Sequence, residues 1–171
     1  MKRVVLIAAL LLAVASPAAA QIKFTALANL GVGFQNDEYF DQTANGLAGL
    51  NFGAGVFLTP DLAVLGRFSG TRVTFDDDVF GGVREQASGV FGGTVQYWLN
   101  NWASVEAGVG YGRWRDEFDN KDGGFGLILG FGATVFQRGP HHVRAGFEYA
   151  PVFTDSKVHN IGLTIGYQYG R

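Results

Sequence analysis

Residues 160–169 read NIGLTIGYQY. Side chains alternate sides along an extended strand, so Ile161, Leu163, Ile165, Tyr167 and Tyr169 share one face and Asn160, Gly162, Thr164, Gly166 and Gln168 the other. A strand of a soluble sandwich fits that description. So does a strand set between lipid and a wet barrel lumen, with an apolar face closing on amphipathic aromatics. The rest of the chain decides between them.

Working outward from this stretch, seven further segments alternate in the same way, at 23–34, 45–58, 62–71, 86–98, 102–114, 124–136 and 142–149. In the first, Phe24, Ala26, Ala28, Leu30, Val32 and Phe34 oppose Thr25, Asn29, Gly31 and Gly33. In the second, Ala48, Leu50, Phe52, Ala54, Val56 and Leu58 oppose Gly49, Asn51, Gly53 and Gly55. Segment 62–71 is the least regular, setting Leu62, Val64 and Phe68 against Arg67, Ser69 and Thr71. After residue 21 no run of apolar residues is long enough for a membrane-spanning helix, which needs about 20. The expected fold class is therefore all-β, an antiparallel up-and-down barrel of eight strands.

The connections alternate in length. Those at 59–61, 99–101 and 137–141 are short, with Pro, Gly, Asn and Asp of the turn-forming kind, whereas 35–44, 75–85, 115–123 and 151–158 are longer. Most acidic residues fall at the long-loop end, among them Asp37, Glu38, Asp41, Asp76, Asp77, Asp78, Asp116, Glu117 and Asp155. One rim is short-turned and the other acidic.

Which face meets which solvent follows from what the non-apolar face lacks. It carries few charges and many of the chain's 26 glycines, including Gly31, Gly53, Gly92, Gly110, Gly130 and Gly166. A soluble lipocalin-like barrel would carry charges there for water. A cramped interior needs glycine instead, since eight strands leave room only for side chains to fill. Aromatics cluster near the ends of the apolar face, at Phe24, Phe34, Phe68, Tyr97, Tyr111, Phe125, Tyr149, Tyr167 and Tyr169, as interfacial girdles do. The apolar face is thus expected to meet lipid.

The first twenty residues read as an address. Lys2 and Arg3 are basic, Val4 to Val14 are mostly apolar, and Ala18-Ala19-Ala20 offers a small-residue cleavage site before Gln21. Residues 1–20 are thus expected to be a cleaved signal peptide and 21–171 one barrel domain. The chain has no cysteine, so this exported protein does not rely on disulfides. Its formal charge of −2 gives no support to a nucleic-acid partner.

This combination of leader, eight alternating strands, alternating turn lengths and aromatic closing strand resembles the small outer-membrane β-barrels of the OmpA/OmpX type. The resemblance covers essentially all of 21–171. It implies the outer membrane of a Gram-negative envelope, a monomer, and contact with outer-membrane lipid and lipopolysaccharide. It also implies that the last strand is the signal read by the outer-membrane assembly machinery, with Asn160, Gly162, Ile165, Tyr167 and Tyr169 matching the spacing. The family usually ends on an aromatic, whereas here Gly170 and Arg171 follow Tyr169.

Alternation places four charges on the inward face: Arg67, Glu106, Arg144 and Glu148. An unpaired charge in a narrow lumen is costly, so each is expected to find an opposite partner in an Arg/Glu network near mid-barrel. Such a network is an internal plug, or more sharply a gate whose rearrangement admits ions. Asp76-Asp77-Asp78 lacks the spaced ligands and glycine of a calcium loop and reads as a solvated tip, so neither metal nor cofactor is expected. Arg113, Arg115 and Lys121 could reach lipid phosphates at the outer rim, but ordinary loop solubility accounts for them better. The histidines are His141, His142 and His159; only His159 is near a serine, Ser156, beside Asp155, and close sequence neighbours seldom face one another as a triad must. The function expected is structural or surface-interacting, through the loops, rather than enzymatic. A narrow porin-like channel is the alternative, and a soluble binding barrel or lipid-modifying enzyme lies further off.

Overall fold

The computed structural model describes residues 23–37, 42–77, 82–116, 118, 120–154 and 157–170. The expected leader at 1–20, Ser156 and the acids Glu38, Asp41, Asp78, Glu117, Asp119 and Asp155 lie outside them. Every described element is a strand: β1 (Phe24–Asp37), β2 (Gln42–Phe57), β3 (Leu62–Asp77), β4 (Gly82–Trp98), β5 (Ala103–Asp116), β6 (Lys121–Arg138), β7 (His141–Tyr149), β8 (Val152–Phe153) and β9 (Lys157–Tyr169). Neighbours in sequence pair antiparallel, and β1 pairs with β9 from Ala26↔Tyr169 to Asp37↔Val158, so the sheet closes on itself. The seam removes both edges, the condition for a β-structure in lipid, where no water satisfies a free backbone group.

Nine strands make eight staves, because β7 and β8 are one stave interrupted by Pro151. On the β6 side Leu129↔Tyr149 and Phe125↔Phe153 keep a single register. On the β9 side Tyr149↔Ile161 and Val152↔Val158 do the same. Proline has no N–H to donate to β6, so one bond of that ladder is missing, but its carbonyl still accepts from the Leu127 N–H at 3.1 Å.

The long connections are mostly sheet, which corrects the reading of residues 35–44, 75–85, 115–123 and 151–158 as loops. Ladder partners continue to Asp37↔Gln42, Asp77↔Gly82, Arg115↔Lys121 and Phe153↔Lys157. In particular β3 runs to Asp77 instead of ending near Thr71. Antiparallel neighbours satisfy each other's backbones whatever their side chains, so a ribbon continues past the point where the apolar signal stops. A second correction concerns β2. Register shifts between Asn29 and Gly31 on one side, and between Ala48 and Phe52 on the other, mark a bulge, so β2 is not one unbroken alternation: beyond it Ala48 pairs with Gly31 and Thr71.

The two faces are separated as the alternation requires. Leu30, Phe52, Val109 and Ile165 are each more than half exposed on the outside. Such a belt far exceeds the apolar patches of soluble monomers. Inward positions are buried or half-buried, and at one close approach Gly92 faces Gly110, where a Cβ on either would meet the other's Cα at 2.6 Å. Glycine is what lets these two staves coil so closely.

Candidate functional site

The lumen is filled in layers. At the short-turn end, Leu27, Phe57, Ala63, Leu65 and Trp98 form a buried apolar cluster. Parity alone sends these residues inward, and the width of eight strands brings them into contact. The Trp98 indole N–H donates to Gln96 Oε1 at 3.2 Å, and its ring lies 5.4 Å from that of buried His142. Gln168 donates from Nε2 to Gln96 Oε1 at 2.8 Å and to Thr25 Oγ1 at 2.9 Å, tying the closing strand to β4 and β1.

The charges stand above this cluster. Arg67 on β3 donates from Nε to Glu106 Oε1 on β5 at 2.7 Å and from Nη2 to Glu148 Oε2 on β7. The planar guanidinium suits this, since its donors diverge in a fixed fork. Both carboxylates have further donors: Thr94 Oγ1 to Glu106 at 2.6 Å, and Asn51 Nδ2 at 3.0 Å and Ser69 Oγ to Glu148. Three of the four charges expected to meet therefore do.

Arg144 departs from the expectation. It makes no carboxylate ion pair among the described residues; its Nη1 and Nη2 donate to Gln168 Oε1 and Ser104 Oγ, and its guanidinium lies 4.7 Å above the Trp98 ring. The reason is height. Arg144 sits four residues nearer the short-turn end of β7 than Glu148, where amide and hydroxyl oxygens and an indole are in reach. Cation–π contact and neutral acceptors take the place of a counter-ion.

Two further layers complete the filling towards the hairpin end. Gln35 donates to Gln86 at 2.6 Å, and Ser88 joins Gln35 at 3.2 Å and Asn160 at 2.8 Å, all four buried. Beside them Val90, Ile128, Ala150, Val152 and Val158 make a second apolar cluster, with Trp114 against it. Between the charges and the walls is a cavity of about 30 Å³, and near Asn51 and Ser69 one of about 10 Å³. Spaces of this size hold a few waters and no continuous channel. Arg67 Nη1 and Arg144 Nε are buried without a protein acceptor, and both arginines line the larger space. Water there would satisfy them.

The other singled-out residues are dispersed. Ile165, Tyr167 and Tyr169 face outward, while Asn160 and Gly162 face the lumen. His141 begins β7 rather than ending the turn at 137–141; its Nδ1 meets the Tyr167 hydroxyl, and His142 is inward. His159 stacks on Tyr149, whose hydroxyl lies 2.6 Å from Nδ1. Trp98 and the Gln/Ser/Asn layer are the interior residues that attention to charge alone passes over; the alternation that found Arg67 also points them inward.

Comparison with known proteins agrees with this geometry. The family model described as outer membrane protein beta-barrel domain matches residues 6–169. The chain belongs to the outer-membrane β-barrel family. Its place is accordingly the outer membrane. Among solved structures, Neisserial surface protein A is similar at 16% identity and TM-score 0.62, over 86% of this chain and 97% of that one. Ail, the attachment invasion locus protein of Yersinia pestis, crystallised with the heparin analogue sucrose octasulfate, is similar at 19% identity and TM-score 0.54, over 86% and 99%. The outer membrane protein AlkL, solved in lipid bilayers, is similar at 16% identity and TM-score 0.53, over 88% and 90%. At these identities the likeness is one of fold. Comparison with curated proteins returns no match.

Proposed function

We propose that this outer-membrane barrel acts through its hairpins outside the membrane, as a surface-interaction or structural protein, and that its interior is a plug rather than a pore or a catalytic site. The filled lumen carries this reading. Solute would have to displace the Trp98 cluster, both Arg67 ion pairs and the Gln35–Gln86–Ser88 layer in turn. What remains available to partners is the ribbon formed where β3 and β4 continue to Asp77↔Gly82, and its counterparts. The attachment role in the name of Ail and its complex with a heparin analogue support an adhesive function of this kind. The gate reading of the Arg/Glu network is less well supported, since Arg67 holds both glutamates at once and opening would strand a buried charge.

Three subsidiary roles belong to the same proposal. Residues 1–20 are a leader removed on export. The mature barrel is a monomer in contact with outer-membrane lipid. The motif Asn160, Gly162, Ile165, Tyr167 and Tyr169 on β9 is read by the assembly machinery before the β1–β9 seam forms.

Vesicle swelling tests the central point. Vesicles carrying the folded chain are expected to swell in isotonic arabinose no faster than protein-free vesicles. Swelling at the rate given by a small porin would establish the channel instead.

A further inference from the structure

The register aligns three outward rows across β3, β4, β5 and β6. The lowest is aromatic: Phe68, Phe91, Tyr111 and Phe125 follow one another in ladder partnership. One step nearer the hairpin end come Gly70, Gly89, Arg113 and Gly123. One step further come Arg72, Ala87, Arg115 and Lys121. Ala87 and Gly89 leave a hollow of about 480 Å³ in the outer wall, floored by Phe68, Phe91 and Tyr111 and rimmed by Arg113, Arg115 and Lys121, while the Phe68 and Tyr111 rings lie over Gly70 and Gly123.

Most acids at this end lie off this wall, although Asp116 and Glu85 line a neighbouring hollow with Arg72 and Arg115. Asp116 stands opposite inward Gln86, and Asp122 opposite inward Trp114. Of the described acidic side chains at this end, Glu85 shares the outer surface, where it pairs with Arg72. Loop solubility alone would not sort the charges by face. An aromatic row in a transmembrane barrel marks the level where hydrocarbon gives way to headgroups, so cations one and two rungs beyond it sit at the height of lipid phosphates.

We propose that this hollow docks a phosphorylated lipid of the outer leaflet. Its phosphate is held by Arg113, Arg115 and Lys121, and an acyl chain lies over Phe91 and Tyr111. Arg with its fork, and Lys as a point charge, are both suited to phosphate oxygens. Lateral approach through the membrane is the route the site faces, which favours a lipid over a soluble anion. The site is on the barrel wall and is independent of what the hairpin tips bind.

The test uses the full chain, folded in neutral detergent, with bis-phosphorylated lipid A as probe and bound lipid counted by native mass spectrometry. The triple variant Arg113→Gln, Arg115→Gln, Lys121→Gln is expected to bind about a hundredfold more weakly, at roughly one unit of headgroup attraction per removed charge. Lys157→Gln, an exposed cation on β9, is expected to leave binding unchanged. Arg113→Lys with Arg115→Lys keeps the charge and is expected to retain most of the binding, which separates loss of charge from misfolding. Equal retention by wild type and triple variant would overturn the proposal. So would equal binding of dephosphorylated lipid A. Displacement of lipid A by an equal concentration of inorganic phosphate would make the occupant a free anion and overturn the assignment to lipid.

Discussion

Arg67→Leu is expected to destabilise the folded barrel by about 3–5 kcal/mol, the cost of breaking a buried ion pair from one side. Arg67 is 3% exposed and donates to both Glu106 and Glu148, so its removal leaves two carboxylates facing each other across a narrow lumen. Thr94, Ser69 and Asn51 would still donate to them, but none carries charge. Equilibrium unfolding in urea, from vesicles in which the chain refolds reversibly, measures the loss. The triple variant Arg67→Leu, Glu106→Gln, Glu148→Gln removes all three charges and is expected to recover most of it, because replacing a whole buried network costs far less than orphaning half of one. A loss below about 1 kcal/mol for the single variant, the range of a surface pair, would mean that the network does not hold the interior together.

Trp98→Ala should cost a similar amount, about 3–5 kcal/mol by the behaviour of large aromatics deleted from cores. Trp98 is 1% exposed, fills the short-turn end beside Phe57, Ala63 and Leu65, and supports Arg144 on its face. Deletion removes packing and strips a buried cation of its ring at once. Trp98→Phe keeps most of the packing but loses the indole N–H donated to Gln96, and is expected to cost about 1–2 kcal/mol. Trp102→Ala supplies the contrast, since that side chain is 57% exposed on the rim. The same urea unfolding reads all three. Equal losses for Trp98 and Trp102 would show that the interior cluster is not a core.

The strands could be read from the sequence because the two faces of each stave meet different solvents. Ile161 and Leu163 outside, with Gly162 and Thr164 inside, leave a period of two that seven other segments repeat. The ribbon ends could not be read so, because pairing at Asp77↔Gly82 depends on backbone groups that every residue carries. Interior contacts were half legible. Parity fixes which face Arg67, Arg144, Glu106 and Glu148 occupy, but the relative heights of staves fix who meets whom, and height follows from the stagger of the closed sheet. That is why Arg67 gained two glutamates and Arg144 a tryptophan. Leu27 and Leu65 were hidden for a related reason: an apolar residue on the mainly polar face looks like noise until both are found in one buried layer. The outward cations were visible, but the rows that set them beside aromatics and glycines exist only once four strands are in register.

Alternate residues of the closed barrel face lipid and a filled interior, and the stretch at 160–169 is where that alternation can be measured residue by residue. The chain contains no cysteine, so a spin label can be placed at each position of β9 by a single substitution, with no background label. Accessibility to oxygen, which partitions into lipid, and to a water-soluble nickel chelate is then measured in bilayers by power-saturation EPR. A period of two is expected, with oxygen favoured at 161, 163, 165 and 167 and neither reagent reaching 162, 164 and 166. Nickel chelate reaching the odd positions would place that face in water, and free access at the even positions would open the lumen; either result contradicts a lipid-facing wall around a filled interior.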